Sequence, residues 1–391
     1  MWELFAYLHD PELVARFQRR CGLFLVQDAH HDPERAKQNG DDESRGQQNR
    51  RWDHQDKNSN YKIKQNGGSR PQYEVRNWFL HVLFLVSAGL GNEVFYITCL
   101  PFIQWSLDPF LCRRLVNMWA VVMYFGQMMK DILKLPRPSS PPVVKLETRV
   151  GAEYGLPSTH AMSATAISFT VLLSATSRIQ FQFEWGLLIA VTLSSLVCLS
   201  RFYTGMHSIL DVLCGVLISA LILCSTYPYW ESIDHFQLTS SASPLVAMGL
   251  TILLNYTYPQ LDHYSTTRGD TSTILGVGAG CSVGYWVDHQ LGGTRHPLGE
   301  IPALLPPLTA GAVARGGARS LLGMMALLGT RQLVKTLSLK VLYSYYRVGD
   351  GDTGARRRRE IEVPYKFVTY MAVGLVNSIL VNRGFVLLGL L

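Results

Sequence analysis

Long apolar stretches separated by short polar loops occupy the chain from residue 77 to its end, whereas the first 76 residues are mostly polar. A membrane-spanning helix needs about 20 largely apolar residues, because backbone groups in lipid must be paired within the helix. The pattern therefore predicts an all-α, polytopic membrane helix bundle with about nine spans. The predicted spans are Trp78–Phe102, Leu115–Leu135, Ala161–Ser177, Trp185–Leu199, Ile209–Tyr227, Leu245–Tyr256, Thr273–Val287, Ala303–Leu328 and Phe367–Leu390.

The same pattern divides the chain into four parts. Residues 1–25 mix apolar and basic positions, as in an amphipathic segment at a membrane surface. Residues 26–76 hold too few aliphatic side chains to form a core and are predicted to be disordered. Residues 77–230 form a predicted transmembrane core that carries the candidate chemistry. Residues 231–391 add further transmembrane helices with a basic loop at 331–366.

Composition agrees with a membrane protein, since charged residues make up only 17% of the chain and hydrophobic residues 48%. The net charge of +7 is densest in the run Arg356–Arg359, which favours a loop beside anionic lipid headgroups. Nucleic-acid binding would need a basic surface with interleaved aromatic residues, and none is evident. The seven cysteines show no paired spacing, so the sequence predicts no disulfide framework, no metal site and no cofactor.

The first chemical motif is Lys130-x6-Arg137-Pro138, at the end of the second apolar segment. Pro136 and Pro138 stop the helix and stiffen the chain around Arg137. The guanidinium group offers a planar fork of donors that matches phosphate oxygens, and Lys130 adds a compact positive charge. An alternative is that Lys130, Lys134 and Arg137 only anchor the helix at the membrane boundary; Lys134 is expected to do so in either case.

The second motif, Pro157-Ser158-Thr159-His160, lies at the entrance of the third apolar segment. Ser158 or Thr159 can cap the helix, and the first backbone N–H groups of a helix bind anions. His160 would then project from the first turn, where its imidazole could give a proton to a departing alkoxide. The alternative is a capping motif with a histidine at the water boundary.

The third motif is Ser200-Arg201-x5-His207-x3-Asp211. His207 and Asp211 are four residues apart, so both lie on one face of a helix. The carboxylate could accept the Nδ1 proton and leave Nε2 free to attack phosphorus. A carboxylate within an apolar helix is costly and usually functional, although a structural His–Asp pair is the alternative. Together the three motifs indicate a membrane-embedded phosphatase that acts on a lipid phosphate.

The three motifs resemble the signature of the type 2 phosphatidic acid phosphatase superfamily, which also includes vanadium haloperoxidases and glucose-6-phosphatase. The runs 134–147 (KLPRPSSPPVVKLE) and 206–211 (MHSILD) look like sphingosine-1-phosphate phosphatases. The runs 13–24 (LVARFQRRCGLF) and 360–367 (EIEVPYKF) look like the type 2 members of that family. The second superfamily motif commonly has glycine where this chain has Thr159, a threonine that sphingosine-1-phosphate phosphatases share.

The resemblance implies hydrolysis of sphingosine-1-phosphate, without a metal, through a phosphohistidine on His207. It implies that Asp211 orients His207 and that His160 is the general acid and base. The residues that it implies for phosphate binding are Lys130, Arg137, Ser158, Thr159 and Arg201. The implied partners are long-chain-base phosphates and membrane lipids, and the implied location is the endoplasmic reticulum membrane.

Two other functions remain compatible with the motifs. The same groups could transfer a phosphorylated headgroup to another lipid, as sphingomyelin synthases do, or the protein could be a transporter or scaffold without catalysis. The membrane face of the site is also open. Nine spans would put the motifs and Arg356–Arg359 on one face; the positive-inside rule makes that face cytosolic, whereas the resemblance implies the lumen.

Overall fold

The computed structural model describes residues 2–25, 73–147, 153–293, 309–349 and 352–390. Helices dominate these ranges, and two three-residue strands, β1 (Leu23–Leu25) and β2 (Tyr73–Val75), pair antiparallel with Leu23 opposite Val75. The α-helices are α1 (Trp2–His9), α2 (Pro11–Arg20), α3 (Trp78–Leu90), α4 (Glu93–Ser106), α5 (Pro109–Leu133), α6 (Thr159–Ala175), α7 (Phe183–Tyr203), α8 (Ile209–Thr226), α9 (Trp230–Thr239), α10 (Ser243–Tyr256), α11 (Thr267–Gln290), α12 (Ala310–Tyr346), α13 (Thr353–Arg356), α14 (Arg359–Leu375) and α15 (Val381–Leu387). A 3₁₀ turn (Tyr227–Tyr229) joins α8 to α9, and a π-helical turn (Val376–Leu380) joins α14 to α15.

Each apolar segment predicted from the sequence coincides with helix in the described ranges; residues 303–308 of the eighth segment lie outside them. Within the part of the chain that the structure describes, three helical stretches are long and apolar enough to cross a membrane: Phe183–Tyr203, Ile209–Thr239 and Arg359–Leu387. The pair α3 and α4 meets the same test as one span with a bend of 63°. The protein is therefore a helical, multi-pass membrane protein.

Neighbouring helices run antiparallel between two ends of the bundle. Thr159 at the start of α6 accepts a hydrogen bond from Lys130 near the end of α5 (3.2 Å). At the other extremity Arg178, which follows α6, pairs with Asp108, which precedes α5 (2.9 Å). We call these the Lys130 end and the Phe110 end, after residues on α5.

The amino-terminal segment belongs to the Lys130 end and packs on protein. The amide of Gln18 on α2 donates to the carbonyl oxygens of Val144 (2.8 Å) and Tyr203 (2.9 Å), and its carbonyl accepts from Val144 N (2.9 Å). Val14 and Ala15 on the same face are buried, so this face of the amphipathic helix is covered by the chain itself.

Two boundaries differ from those predicted. Of the segment expected to be disordered, residues 26–72 lie outside the described residues, whereas 73–75 form β2, because β1 supplies the hydrogen-bonding partner. The prediction of a loop over 331–366 is wrong for 331–346, which continue α12, and from 359 onwards, where α14 begins. Residues 331–346 contain neither Gly nor Pro and include four Leu and two Lys, which favour helix.

The carboxy-terminal helices pack unusually closely where glycine faces a backbone. A Cβ on Gly276 would lie 2.6 Å from the carbonyl oxygen of Phe367, and one on Gly280 would overlap the carbonyl oxygen of Met371. These approaches bring α11 against α14. The pairing places the start of α11 beside the Lys130 end, where its first residues meet the predicted site.

Candidate active site

All eight predicted site residues lie at the Lys130 end, on four separate parts of the chain. Lys130 belongs to the last turn of α5, and Arg137 to the loop that follows it. His207 lies in the turn between α7 and α8, and Asp211 in the first turn of α8. The remaining members, on α6, its cap and the last turn of α7, are Ser158, Thr159, His160 and Arg201.

His207 and Asp211 adjoin each other in the interior. The Nδ1 atom of His207 is 3.5 Å from Oδ2 of Asp211, and the two residues are 2% and 0% exposed. Asp211 Oδ2 accepts the backbone N–H of Ser208 (2.8 Å), and the Ser208 hydroxyl accepts the N–H of Asp211 (3.2 Å). This capping box fixes the carboxylate beside the imidazole. The predicted Nδ1 hydrogen bond itself is not formed, since no described residue hydrogen-bonds His207 Nδ1.

Glycine shapes the turn that presents His207. Gly205 adopts a φ of 71°, a left-handed conformation that favours glycine. A Cβ there would overlap the carbonyl oxygen of Val144. The chain can therefore turn from α7 into α8 within a few residues, which places His207 beside Arg137. The Nη1 atom of Arg137 donates to His207 Nε2 (3.4 Å).

Lys130 and Arg137 share one carboxylate that the sequence did not single out. Glu153 Oε2 accepts from Lys130 Nζ (3.4 Å) and from Arg137 Nη2 (3.4 Å). Arg137 Nε also donates to the backbone oxygen of Glu153 (3.0 Å), and its Nη1 to the carbonyl of Met206 (3.0 Å). The guanidinium thus bridges the Glu153 loop and the His207 turn.

Arg201 is the third cation and is 1% exposed. Its Nε and Nη2 atoms donate to the Ser200 hydroxyl (3.3 Å each), and Nη1 donates to Glu147 Oε1 (3.3 Å). Glu147 is 37% exposed at its side chain. Glu147 and Glu153 were both missed as site residues, because a single Glu in a loop has no local pattern and only the folded chain shows which cation it meets.

The second motif forms the amino terminus of α6. The Ser158 hydroxyl accepts the N–H of Ala161 (3.4 Å), and Ser158 N donates to the carbonyl of Asp211 (3.0 Å). His160 follows in the first turn and is half-buried. A Cβ on Gly91 would lie 2.7 Å from His160 Cδ2, so the junction of α3 and α4 packs directly on this imidazole.

The electrostatics suit a neutral histidine among fixed charges. Burial, followed by the nearby charges of Arg137, Lys130 and Arg201, lowers the pKa of His207 well below its ordinary value. The imidazole therefore keeps a lone pair at neutral pH. Burial opposes ionisation of Glu153, but Lys130, the Thr266 hydroxyl and Arg137 outweigh it and lower the pKa of that carboxyl. Glu153 is thus an anion between two cations.

The arrangement can hold a phosphate and attack it. Three cations and the amino terminus of a helix surround two histidines, and burial followed by the nearby cations lowers the pKa of both imidazoles. Within the described ranges, no group of three or more His, Cys, Asp or Glu side chains is placed to hold a metal ion. Lys134, expected to be an interface residue, is exposed and ends α5 in a left-handed conformation (φ 52°).

Comparison with known proteins gives a consistent result. Residues 112–233 match the model of the PAP2 superfamily. The chain is 48% identical to human sphingosine-1-phosphate phosphatase 2 over 96% of this chain and 96% of that protein. It is 43% identical to rat sphingosine-1-phosphate phosphatase 1 over 81% of this chain and 74% of that protein. It is also 31% identical to a dihydrosphingosine 1-phosphate phosphatase of Schizosaccharomyces pombe over 54% of this chain and 53% of that protein.

No solved structure matches the chain. The sequence matches extend far beyond the three motifs, and the match to the human protein includes both the amino-terminal segment and the carboxy-terminal helices. A resemblance confined to a reaction centre would not cover these parts. The chain therefore belongs to the sphingosine-1-phosphate phosphatase family, within the PAP2 superfamily.

Proposed function

We propose that this protein hydrolyses sphingosine-1-phosphate and related long-chain-base phosphates to the free base and inorganic phosphate. The observation that carries the proposal is the convergence of His160, His207 and three cations at one end of a membrane helix bundle. The names of the relatives supply the substrate class. A lipid phosphate can reach such an end with its headgroup while its hydrocarbon chain stays in the bilayer.

The reaction would proceed in two displacements. His207 Nε2 forms a bond to phosphorus while the bond from phosphorus to the sphingosine oxygen breaks, and His160 gives its proton to the departing oxygen. Asp211, 3.5 Å from His207 Nδ1, stabilises the positive charge that the imidazole gains. A water oxygen then forms a bond to phosphorus while the bond from phosphorus to His207 Nε2 breaks, His160 accepts a proton of that water, and inorganic phosphate leaves.

The cations would stabilise the charge on the three phosphate oxygens. Lys130, Arg137 and Arg201 already point into one site, and their side chains are at most 7% exposed. Fixed donors in such a water-poor site are usually the largest single contribution to catalysis. The Ser158 and Thr159 hydroxyls and the Thr159 backbone N–H would add donors at the amino terminus of α6. These cations would supply the charge that a magnesium ion provides in other phosphatases.

We place the protein in the endoplasmic reticulum membrane with nine spans and the division 1–25, 26–76, 77–230 and 231–391. Support for nine passes comes from contacts between successive helices at alternating ends. The Tyr258 hydroxyl, after α10, donates to Asp131 at the Lys130 end (2.8 Å). Gln290, at the end of α11, donates to the backbone of Leu238 on α9 (3.1 Å), at the opposite end of the bundle. At the Phe110 end, Arg319 donates to Trp105 (3.1 Å).

The deciding experiment follows the fate of the phosphoryl group. Purified protein in lipid vesicles is given labelled sphingosine-1-phosphate with and without an acceptor lipid. Release of free phosphate supports hydrolysis; label that moves to the acceptor lipid indicates a phosphotransferase, and no turnover indicates a transporter or scaffold. Vanadate should inhibit, because its trigonal-bipyramidal form mimics the transition state, and EDTA should not. EDTA inhibition that magnesium reverses would contradict the proposed mechanism.

The membrane face of the site needs a separate measurement. Arg268 on α11 donates to the backbone of Arg357 (3.0 Å), and Thr266, two residues earlier, contacts Glu153. The arginine run and the site therefore lie on the same side. Protease protection of a tag in the loop 138–157 should match that of a tag in the loop 350–360, and lumenal protection of both would support the orientation that the family resemblance favours.

A further inference from the structure

Glu153 occupies an unusual position between the two cations that precede the second motif. One oxygen, Oε2, meets Lys130 Nζ and Arg137 Nη2, each at 3.4 Å. The three side chains are 2%, 7% and 7% exposed. Two buried positive charges this close repel each other, and each is costly to bury without a partner. The shared carboxylate offsets both effects.

The other oxygen of Glu153 is held from the carboxy-terminal half of the chain. Thr266, the residue before α11, donates its hydroxyl to Glu153 Oε1 (2.5 Å). The next residue, Thr267, donates to Asp131 Oδ2 (2.7 Å), and Asp131 directly follows Lys130. Both threonines lie beyond the end of the PAP2 match at residue 233, whereas both carboxylates lie within it. The start of α11 therefore braces the phosphate-binding cations through Glu153 and also holds Asp131, the residue next to Lys130.

The contacts differ from those of an ordinary closed salt bridge. Charge-assisted N–H···O bonds are usually 2.7–2.9 Å long, whereas both cation contacts of the Glu153 carboxylate are 3.4 Å. The carboxylate is thus close enough to set where Lys130 Nζ and Arg137 Nη2 lie, yet loose enough for these two donors to turn towards a phosphate. Its tighter bond to Thr266 fixes it from behind.

We propose that Glu153 is a positioning residue that holds Lys130 and Arg137 in their phosphate-binding arrangement, and that Thr266 in turn holds Glu153. The inference rests on the proposed phosphatase function. Under this proposal, the helices beyond the PAP2 match contribute to phosphate binding and do not only anchor the protein in the membrane.

The test compares Glu153→Gln with Glu153→Asp and Glu147→Gln in the full-length protein. Glutamine keeps the shape but loses the charge, so kcat/KM for sphingosine-1-phosphate should fall about 100-fold, the scale of one misplaced donor group. Vanadate, which needs the cations but no leaving group, should inhibit about tenfold less tightly. Aspartate should recover part of both losses. Glu147→Gln is the matched control, because it contacts one cation and is partly exposed, and its loss should be smaller.

Thr266 supplies a second, milder probe. Thr266→Val removes the hydroxyl at nearly constant volume and should weaken vanadate inhibition in the same direction, by about threefold, while Thr266→Ser should restore it. This pair decides the matter if Glu153→Gln does not fold. Thermal unfolding of each variant in detergent separates a lost fold from a displaced cation.

The outcomes are distinct from those for the function itself. If the parent protein releases no phosphate, the proposed function fails. If the parent is active and a folded Glu153→Gln binds vanadate more tightly, the carboxylate is a competitor for the phosphate site and the inference is overturned. Unchanged kinetics in Glu153→Gln, or in Thr266→Val where only that pair folds, would also overturn it.

Discussion

The two ends of the bundle both bury arginine–carboxylate clusters, but the clusters are built differently. At the Phe110 end, Asp234 pairs with Arg113 (3.0 Å) and Arg114 (2.7 Å), and Asp108 holds Arg178 through two bonds of 2.9 and 3.1 Å. Within the predicted site at the Lys130 end, the ion pairs of Lys130, Arg137 and Arg201 measure 3.3–3.4 Å. Short, bidentate pairs are strong and geometrically fixed.

The surroundings differ in the same sense. At the Phe110 end three guanidinium groups lie on the Phe110 ring, at 4.2, 4.6 and 5.5 Å from its centroid. At the Lys130 end the cations adjoin two histidines and a capped helix terminus instead. A cluster whose charges are fully engaged with one another stabilises the fold. One whose pairs are longer keeps donors that a phosphate can recruit, so contact geometry rather than charge count separates the site from the scaffold.

The largest expected effect is at the nucleophile of the Lys130 end. His207→Ala should lower phosphate release from sphingosine-1-phosphate by roughly 10³-fold or more, because no other group can take the phosphoryl group. Phosphoenzyme trapping and phosphate release measure this, with membrane insertion as the control. Near-normal turnover would remove the covalent mechanism.

The same conservative change at each end tests the comparison directly. Arg201→Lys keeps the charge but loses the planar fork, and kcat/KM should fall about 100-fold. Arg178→Lys, also a buried arginine, should cost about 1–3 kcal/mol of stability and leave the turnover of folded protein within about twofold. Equal losses of turnover in both variants would mean that the two clusters are not functionally distinct.

The acidity of the leaving group distinguishes the proposed role of His160 as general acid from that of His207 as nucleophile. His160→Ala should slow single-turnover release of sphingosine about 100-fold, but should slow release of an acidic phenol from an aryl phosphate much less. His207→Ala should lose activity on sphingosine-1-phosphate and on the aryl phosphate to the same extent. Equal impairment of His160→Ala on both substrates would show that the acid and the nucleophile are wrongly assigned.

A smaller effect is expected from pH. The lowered pKa of His207 means that the neutral, nucleophilic imidazole persists as the solution becomes more acidic. The acid limb of kcat/KM that belongs to this group should therefore lie below pH 6.5, the ordinary histidine value. The profile is measured after correction for ionisation of the substrate phosphate. A histidine limb above that value would contradict the buried, cation-rich environment.

The smallest effect marks the edge of the site. Lys134 lies four residues after Lys130 but is exposed, so Lys134→Arg should change turnover by less than about twofold. Lys130→Arg, in the 2% exposed position, should reduce it clearly, because the larger guanidinium must fit beside Glu153 and Thr159. Similar losses in both variants would extend the site to the end of α5.

Local features of the chain were predictable because they depend on neighbours in sequence. The apolar segments form helices and Ser158 caps α6, as predicted, and the three motifs lie at helix ends at one side of the bundle. The sequence also indicated the family, because the residues of a motif and their spacing can be recognised without knowledge of packing. The prediction of a loop was wrong for residues 331–346, because the helix propensity of this segment outweighed the basic residues on which the loop prediction rested.

The partners of the proposed phosphate-binding cations were decided by the tertiary structure alone. Thr266 meets Glu153 across 113 positions and Arg201 meets Glu147 across 54, separations at which no local pattern predicts a contact. The same holds for the contrast between loose and tight ion pairs at the two ends. The sequence by itself determined which groups could do phosphate chemistry and that they lie at helix ends. Packing determined which carboxylate neutralises each cation, because the cost of burying a charge is met only by the group that the fold brings beside it.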